Sequence, residues 1–122
     1  MRRGKANKTE DVFAWSWALS NSDPSGFDRL VKANAQNRSV RKVFDTLIVA
    51  AGPSSPARGC CGGDYPKGIP IKVPIKELIN DLKEMGITAD VFANCVTLLE
   101  TEGIMQDVEG LTACCASFSN KE

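Results

Sequence analysis

The stretch VPIKELINDLKEMGITADVFANCVTLLETEGIM, residues 73–105, decides the fold. Its apolar residues recur every three or four positions on both sides of a short turn at Gly86, as in amphipathic helices. Pro74 suits the first position of one helix, Thr88 suits the cap of the next, and Gly103 suits its end. The stretch therefore predicts two helices joined by a tight turn, as in a helix-turn-helix.

The residues before this stretch predict a helix and a short strand. Ser39 is placed to cap a helix over VRKVFDTLIVAAG, and Gly52 is placed to end it. The apolar residues of this segment fall at helical spacing. Residues 52–70 are a loop, because five glycines and four prolines in nineteen residues do not allow regular structure. Residues 71–73 lie between two prolines, and their apolar and polar side chains alternate. This pattern predicts an edge strand.

The residues after Gly103 predict a β-hairpin. Residues 104–106 and 111–115 have the composition of two short strands, and residues 107–110 suit the tight connection between them. The order helix, strand, helix, helix, hairpin predicts an α+β fold, mainly α. We predict a winged helix-turn-helix over residues 38–118.

The N-terminal residues 1–37 are predicted to form a basic arm with a small helical extension. Within DVFAWSWALS, residues 11–20, the aromatic residues fit either a short helix or a strand, and periodicity does not decide between them. Phe27, Leu30 and Val31 mark another short helix. Residues 119–122 are a polar tail.

Composition indicates a single globular domain. The 122 residues are 43% apolar and 25% charged. They contain no run of 18 apolar residues, so no membrane span is predicted. The first residues lack an apolar signal region, so a nuclear or cytoplasmic location is expected rather than secretion. Charge is uneven: residues 1–42 carry nine Lys and Arg against four Asp and Glu, and residues 43–122 carry six against eleven.

The pattern of the helix-turn-helix stretch resembles a known family. It is similar to the C-terminal winged-helix domain of the middle subunit of replication protein A, and to the C-terminal winged helix of the minichromosome maintenance helicases. The resemblance covers residues 40–118 at most. The residues that carry it are Ile75, Leu78, Ile79, Leu82, Leu99, Gly103 and Ile104.

The first of these families implies a protein-docking module without catalytic activity. Its winged helix receives short helical peptides from replication and repair partners in a partly acidic groove between the second helix and the wing. A basic amphipathic helix, or a subunit of a larger complex, is the expected partner here. The predicted partner surface comprises Phe92, Val96, Glu100, Glu102, Met105 and Asp107.

The charge of the second helix argues against reading of a DNA groove. Base edges and phosphates are contacted mainly by Arg, Lys, Asn and Gln. Residues 88–110 contain one Asn, one Gln, no Lys or Arg, and five acids. Such a surface repels the phosphate backbone.

The alternative function is direct binding of nucleic acid by the basic N-terminal half. Trp15 and Trp17 lie nearby and suit stacking on bases, although packing into a core is the commoner role of such residues. The candidate phosphate contacts are Arg2, Arg3, Lys5, Lys8, Arg38, Arg41 and Lys42.

The cysteines and carboxylates do not form a recognisable catalytic or metal site in the sequence. Cys60-Cys61 and Cys114-Cys115 are adjacent pairs, whereas zinc sites usually separate their paired cysteines by two residues or more. Cys95 falls on an apolar helix face and is predicted to pack in the core. The chain has no histidine for a nucleophile–base pair. We therefore predict no enzyme activity, metal or cofactor.

Overall fold

The computed structural model of the chain describes residues 12–18, 25–52 and 68–118. In these ranges five helices and a three-stranded sheet make an α+β fold that is mainly helical. The elements in chain order are β1 (Val12–Trp17), α1 (Gly26–Gln36), α2 (Val40–Ala51), β2 (Ile71–Pro74), α3 (Ile75–Glu84), α4 (Ala89–Thr101), β3 (Met105–Glu109) and α5 (Leu111–Phe118).

The two predicted helices joined by a tight turn are present as α3 and α4. Gly86 and Gly103 adopt positive φ angles of 79° and 76° after the two helices, which glycine does without steric cost. The Val91 N–H donates to the Thr88 side-chain oxygen at 3.4 Å, so Thr88 caps α4 as predicted. The helix predicted after Ser39 is also confirmed, as α2, although the Ser39 side chain makes no capping bond.

The N-terminal aromatic segment is a strand, not part of a helical extension. β1 lies in the middle of the sheet, in the order β2-β1-β3, and pairs antiparallel with both neighbours. Its last five residues are all buried, so the aromatic residues alternate with the small residues Ala14 and Ser16 rather than with the charged residues of a half-exposed strand. A strand from residues 1–37 thus lies between two strands from residues 38–118.

The predicted hairpin after α4 is wrong in its second strand. β3 forms close to where the first strand was expected, but residues 111–118 form α5 instead of a strand. β1 already provides the partner of β3, with Ser16 opposite Gln106 and Trp17 opposite Met105. α5 instead packs against α3, α4 and β1 and buries Cys114.

Aromatic side chains connect the sheet to the helices. Phe13 lies against Phe92 of α4, with ring centroids 5.4 Å apart, and Trp17 lies against Phe44 of α2 at the same separation. Trp15, between them on the same face of β1, is 1% exposed. The tryptophans are therefore core residues, and packing rather than base stacking is their role in this fold.

Candidate interaction surfaces

The helix α4 has a buried side and a polar solvent side. Its buried residues include Phe92, Cys95, Val96 and Leu99, which recur at three- and four-residue spacing. The prediction that Cys95 packs in the core is confirmed. The exposed positions of α4 are Asp90, Asn94, Thr97, Glu100 and Thr101.

The apolar part of the predicted partner surface is not at the surface. Phe92 and Val96 are 0% exposed and Met105 is 2% exposed. The Phe92 ring packs against Phe13 of β1 and Phe118 of α5, with ring centroids 5.4 Å and 5.9 Å away. This corrects the prediction for these three residues, because their apolar surface is already buried within the chain.

The acidic part of the predicted surface has mixed accessibility. Glu100 and Asp107 are exposed. Glu102 is mostly covered, with 14% of its side chain exposed, and its carboxylate lies 3.9 Å from the Lys32 ammonium of α1. Glu102 therefore helps to join α1 to the end of α4, and its negative charge is partly offset by Lys32.

Asp107 lies at an irregularity of the sheet. Two residues of β3, Asp107 and Val108, oppose the single residue Trp15 of β1, as in a β-bulge. Asp107 has a φ of 56°, the only positive value among the described residues other than glycine. A bulge with a left-handed first residue is usually formed with glycine, and Asp tolerates that conformation better than most residues. The bulge and the exposed acids of β3 also protect this edge of the sheet from pairing with another strand.

The cations proposed for the alternative function gather at the start of α2. Arg38, Arg41 and Lys42 are all exposed. The Arg41 Nε lies 3.4 Å from a carboxylate oxygen of Asp45. The remaining candidates, Arg2, Arg3, Lys5 and Lys8, lie outside the described residues.

The outer side of α1 carries an apolar strip that the sequence analysis did not identify as a surface. Phe27 is 62% exposed and Val31 is 49% exposed. Ala35, one turn further along, is also exposed. The Arg41 guanidinium carbon lies 5.9 Å from the Phe27 ring centroid, so a cation of α2 lies beside the strip.

The position of this strip follows from which side of α1 faces the core. Gly26, Leu30 and Ala33 are the buried residues of α1. Because these positions are spaced by four and three residues, Phe27 and Val31 lie one position further round the helix, on a separate side. The sequence did not indicate an exposed strip, because Phe27 and Leu30 are three residues apart and fit a single core-facing stripe. A search for two parallel apolar stripes would have revealed it.

Among the described cysteines, Cys95 and Cys114 are buried thiols and Cys115 is half-buried. Burial raises the pKa of Cys95 to about 11. Burial, with a smaller contribution from Cys115, raises the pKa of Cys114 to about 12. Burial and then the Asp90 carboxylate raise the pKa of Cys115. Such thiols stay protonated near neutral pH, whereas metal binding and nucleophilic attack require the thiolate; Cys60 and Cys61 lie outside the described residues.

Comparison of the chain with protein-family models, curated proteins and solved structures gave no match. Within the described ranges no group of three or more Cys, Asp and Glu residues is arranged to hold a metal ion. In the same ranges no helix has the length and apolar character needed to cross a membrane. The functions implied by the winged-helix resemblance therefore stay predictions.

Proposed function

We propose that this chain is a non-catalytic protein-docking module of a DNA replication, DNA repair or related nucleic-acid-processing assembly. The observation that carries the docking role is the exposed pair Phe27 and Val31, one turn apart on α1. Aromatic residues and Arg are enriched in protein interfaces, and the Phe27 ring lies beside the Arg41 guanidinium. The docking surface thus moves from the buried groove residues of α4 and β3 to α1.

The proposal includes a specific fold. α2, β2, α3, α4 and β3 follow the helix, strand, helix, helix, strand order of a winged helix-turn-helix. β1 takes the place of the second strand of the wing, because it pairs with both β2 and β3. The fold would then be a winged-helix variant whose last strand is supplied by the N-terminal segment, and α5 would follow where that strand normally lies.

The docking role is tested by affinity capture from an extract of the source cells, with the full chain as bait. The double variant Phe27→Ala/Val31→Ala should lose most of the captured protein. Val49→Ala is the matched control, because Val49 is also apolar and 66% exposed but lies about two turns further along α2 than Arg41. Equal capture by the double variant and the wild type would contradict docking through α1.

Glu100 and Asp107, the exposed acids of the predicted partner surface, are tested in the same assay. Glu100→Lys/Asp107→Asn changes the charge of the two exposed residues, and Asn at position 107 tolerates the left-handed conformation of the bulge. Asp81→Lys, an exposed position on α3, controls for a general change of charge. Selective loss of a partner from the first variant would show that the acidic side is a second docking surface, and unchanged capture would exclude it.

Direct nucleic-acid binding is the second candidate, favoured by the exposure of Arg38, Arg41 and Lys42 and by the position of Arg41 beside the Phe27 ring. Each phosphate contact adds to the salt dependence of binding, so the affinity for oligonucleotides should fall steeply as salt rises. The variant Arg38→Glu/Lys42→Glu should flatten that dependence. Lack of binding to single- and double-stranded oligonucleotides at low salt would eliminate this candidate.

A further inference from the structure

The outer surface of α1 and the first turn of α2 together have the features of a binding site for a helix. The apolar strip Phe27, Val31 and Ala35 follows one side of α1 at intervals of four residues. It extends for about 12 Å, which corresponds to two turns of an opposing helix. Strips of this spacing are the usual contact of an amphipathic helix that binds through residues on one side.

The charges around the strip indicate the sign of the partner. Three exposed cations follow the strip in the chain: Arg38 in the turn, and Arg41 and Lys42 at the start of α2. A fourth exposed cation, Lys32 on α1, pairs with Glu102. The exposed acids of these segments are Asp28 and Asp45, and Asp45 is already engaged by Arg41. With Lys32 and Glu102 offsetting each other, three cations against two acids leave this surface with a net charge of +1, which favours a negative partner.

The form of the surface favours a protein over a nucleic acid. Unpaired bases bind to exposed aromatic rings, and successive bases need successive rings. Here the single ring of Phe27 is followed by the aliphatic side chains of Val31 and Ala35, which provide no stacking surface. Aliphatic residues spaced by one helical turn instead match the leucine-type anchors of a peptide helix.

We propose that this surface, formed by Phe27, Val31, Arg38, Arg41 and Lys42, binds an acidic amphipathic helix of a protein partner. The inference rests on the proposed docking function and specifies its partner. Apolar residues of the partner cover Phe27 and Val31. Carboxylates on the edge of its apolar side face the three cations of the turn and of the start of α2. Arg41 contributes to both parts, since its guanidinium lies beside the Phe27 ring.

The test measures binding of synthetic probes to the full chain by fluorescence anisotropy. The main probe is a helical peptide of about 16 residues with leucines on one side and glutamates elsewhere, long enough to be partly helical when helix-favouring residues are used. Three further probes separate the causes of binding: a scrambled peptide of the same composition, a peptide with lysine in place of glutamate, and a single-stranded oligonucleotide of about 20 nucleotides.

The expected result is binding of the acidic amphipathic peptide and at least about tenfold weaker binding of the scrambled and lysine peptides. Phe27→Ala and Arg38→Glu/Lys42→Glu should each weaken binding of the acidic peptide by about tenfold or more. Val49→Ala should leave it unchanged. Asp28→Asn should increase the affinity for the acidic peptide. Because a variant that fails to fold would lose affinity, this increase separates a change of charge from a loss of folding.

Several outcomes would overturn the inference. Equal affinity for the scrambled peptide and the amphipathic peptide would show that the surface recognises charge alone. Preference for the oligonucleotide, with the same dependence on Phe27 and Lys42, would assign the surface to nucleic acid. If Phe27→Ala/Val31→Ala abolishes capture of cellular partners but the acidic peptide does not bind, the docking function stands and the partner is not an acidic helix.

Discussion

At the scale of single residues, Gly110 shows how closely the turn between β3 and α5 approaches β1. A Cβ atom at Gly110 would collide with the backbone carbonyl oxygen of Val12 and lie 3.3 Å from the Phe13 Cα. Gly110 also has a φ of 82°, in the left-handed region. Both the conformation and the contact therefore require glycine.

Gly110→Ala should destabilise the protein more than Gly86→Ala. Both glycines have positive φ, with 79° at Gly86, so both substitutions should cost about 1 kcal/mol for the conformation. Only Gly110 has backbone atoms in the space that the new methyl group needs, and relieving that contact should add about 2 kcal/mol. Urea unfolding of the two variants measures the difference. Equal midpoints would contradict the close approach of the turn to β1.

At the scale of secondary structure elements, two helices with similar cap sequences differ in their caps. Thr88 accepts a hydrogen bond from the Val91 N–H, whereas Ser39 at the same position of α2 makes no capping bond. The Ser39 N–H instead donates to the side-chain oxygen of Asn37 at 3.1 Å. The residue before α2 is thus held by the preceding turn rather than by its own side chain.

Thr88→Ala should therefore destabilise the protein by about 1 kcal/mol, because the Val91 N–H loses its acceptor. Ser39→Ala is the matched control and should change stability by less than about 0.5 kcal/mol, since no capping bond is lost. Chemical denaturation of both variants provides the measurement. A larger effect at Ser39 than at Thr88 would show that the two caps have been assigned the wrong way round.

The sequence predicted the elements whose stability is local. The stripes of α2, α3 and α4, the Thr88 cap and the closing glycines at 86 and 103 are short-range features that a single segment displays. The strand pairing is different, because it depends on residues far apart in the chain. Nothing within residues 104–115 indicates that Met105 would pair with Trp17, some ninety positions earlier.

The error at α5 and the ambiguity at β1 have the same origin. Once β1 occupies the centre of the sheet, β3 has its partner and residues 111–118 are free to form a helix. β1 itself is buried on both sides, so Ala14 and Ser16, rather than charged residues, alternate with its aromatic residues, and the segment did not stand out as a half-exposed strand. The same non-local packing buried the predicted anchors Phe92, Val96 and Met105, which is why the candidate site changed more than the helices did.

At the scale of the whole molecule, the cationic and anionic surfaces lie on different elements. The exposed cations Arg38, Arg41 and Lys42 flank the apolar strip of α1, while Glu100 and Asp107 belong to α4 and β3. Lys32 and Glu102 pair where α1 meets the end of α4. If the proposed site on α1 and α2 binds an acidic partner, its three cations would not be neutralised by Glu100 and Asp107, which belong to other elements.

The buried thiols give the whole molecule a defined pH dependence. Cys95 and Cys114 keep their protons in the folded state until about pH 11 and about pH 12. In the unfolded chain the same thiols ionise near about pH 8.5. The unfolded state therefore binds fewer protons above that pH, and the free energy of unfolding falls as the pH rises. Below about pH 8 the contribution of both thiols is complete.

The double variant Cys95→Ala/Cys114→Ala should lose less stability on alkalinisation than the wild type. Between about pH 7 and about pH 10, the wild type should lose about 1 to 2 kcal/mol more for each of the two thiols. Cys60, Cys61 and Cys115 are present in both proteins, so their titration affects the comparison equally. The alanine variant is expected to be less stable at neutral pH, because it loses buried side-chain volume, but this loss does not depend on pH. Urea unfolding under reducing conditions at the two pH values measures the difference, and parallel losses in the two proteins would show that the thiols are accessible to solvent in the folded state.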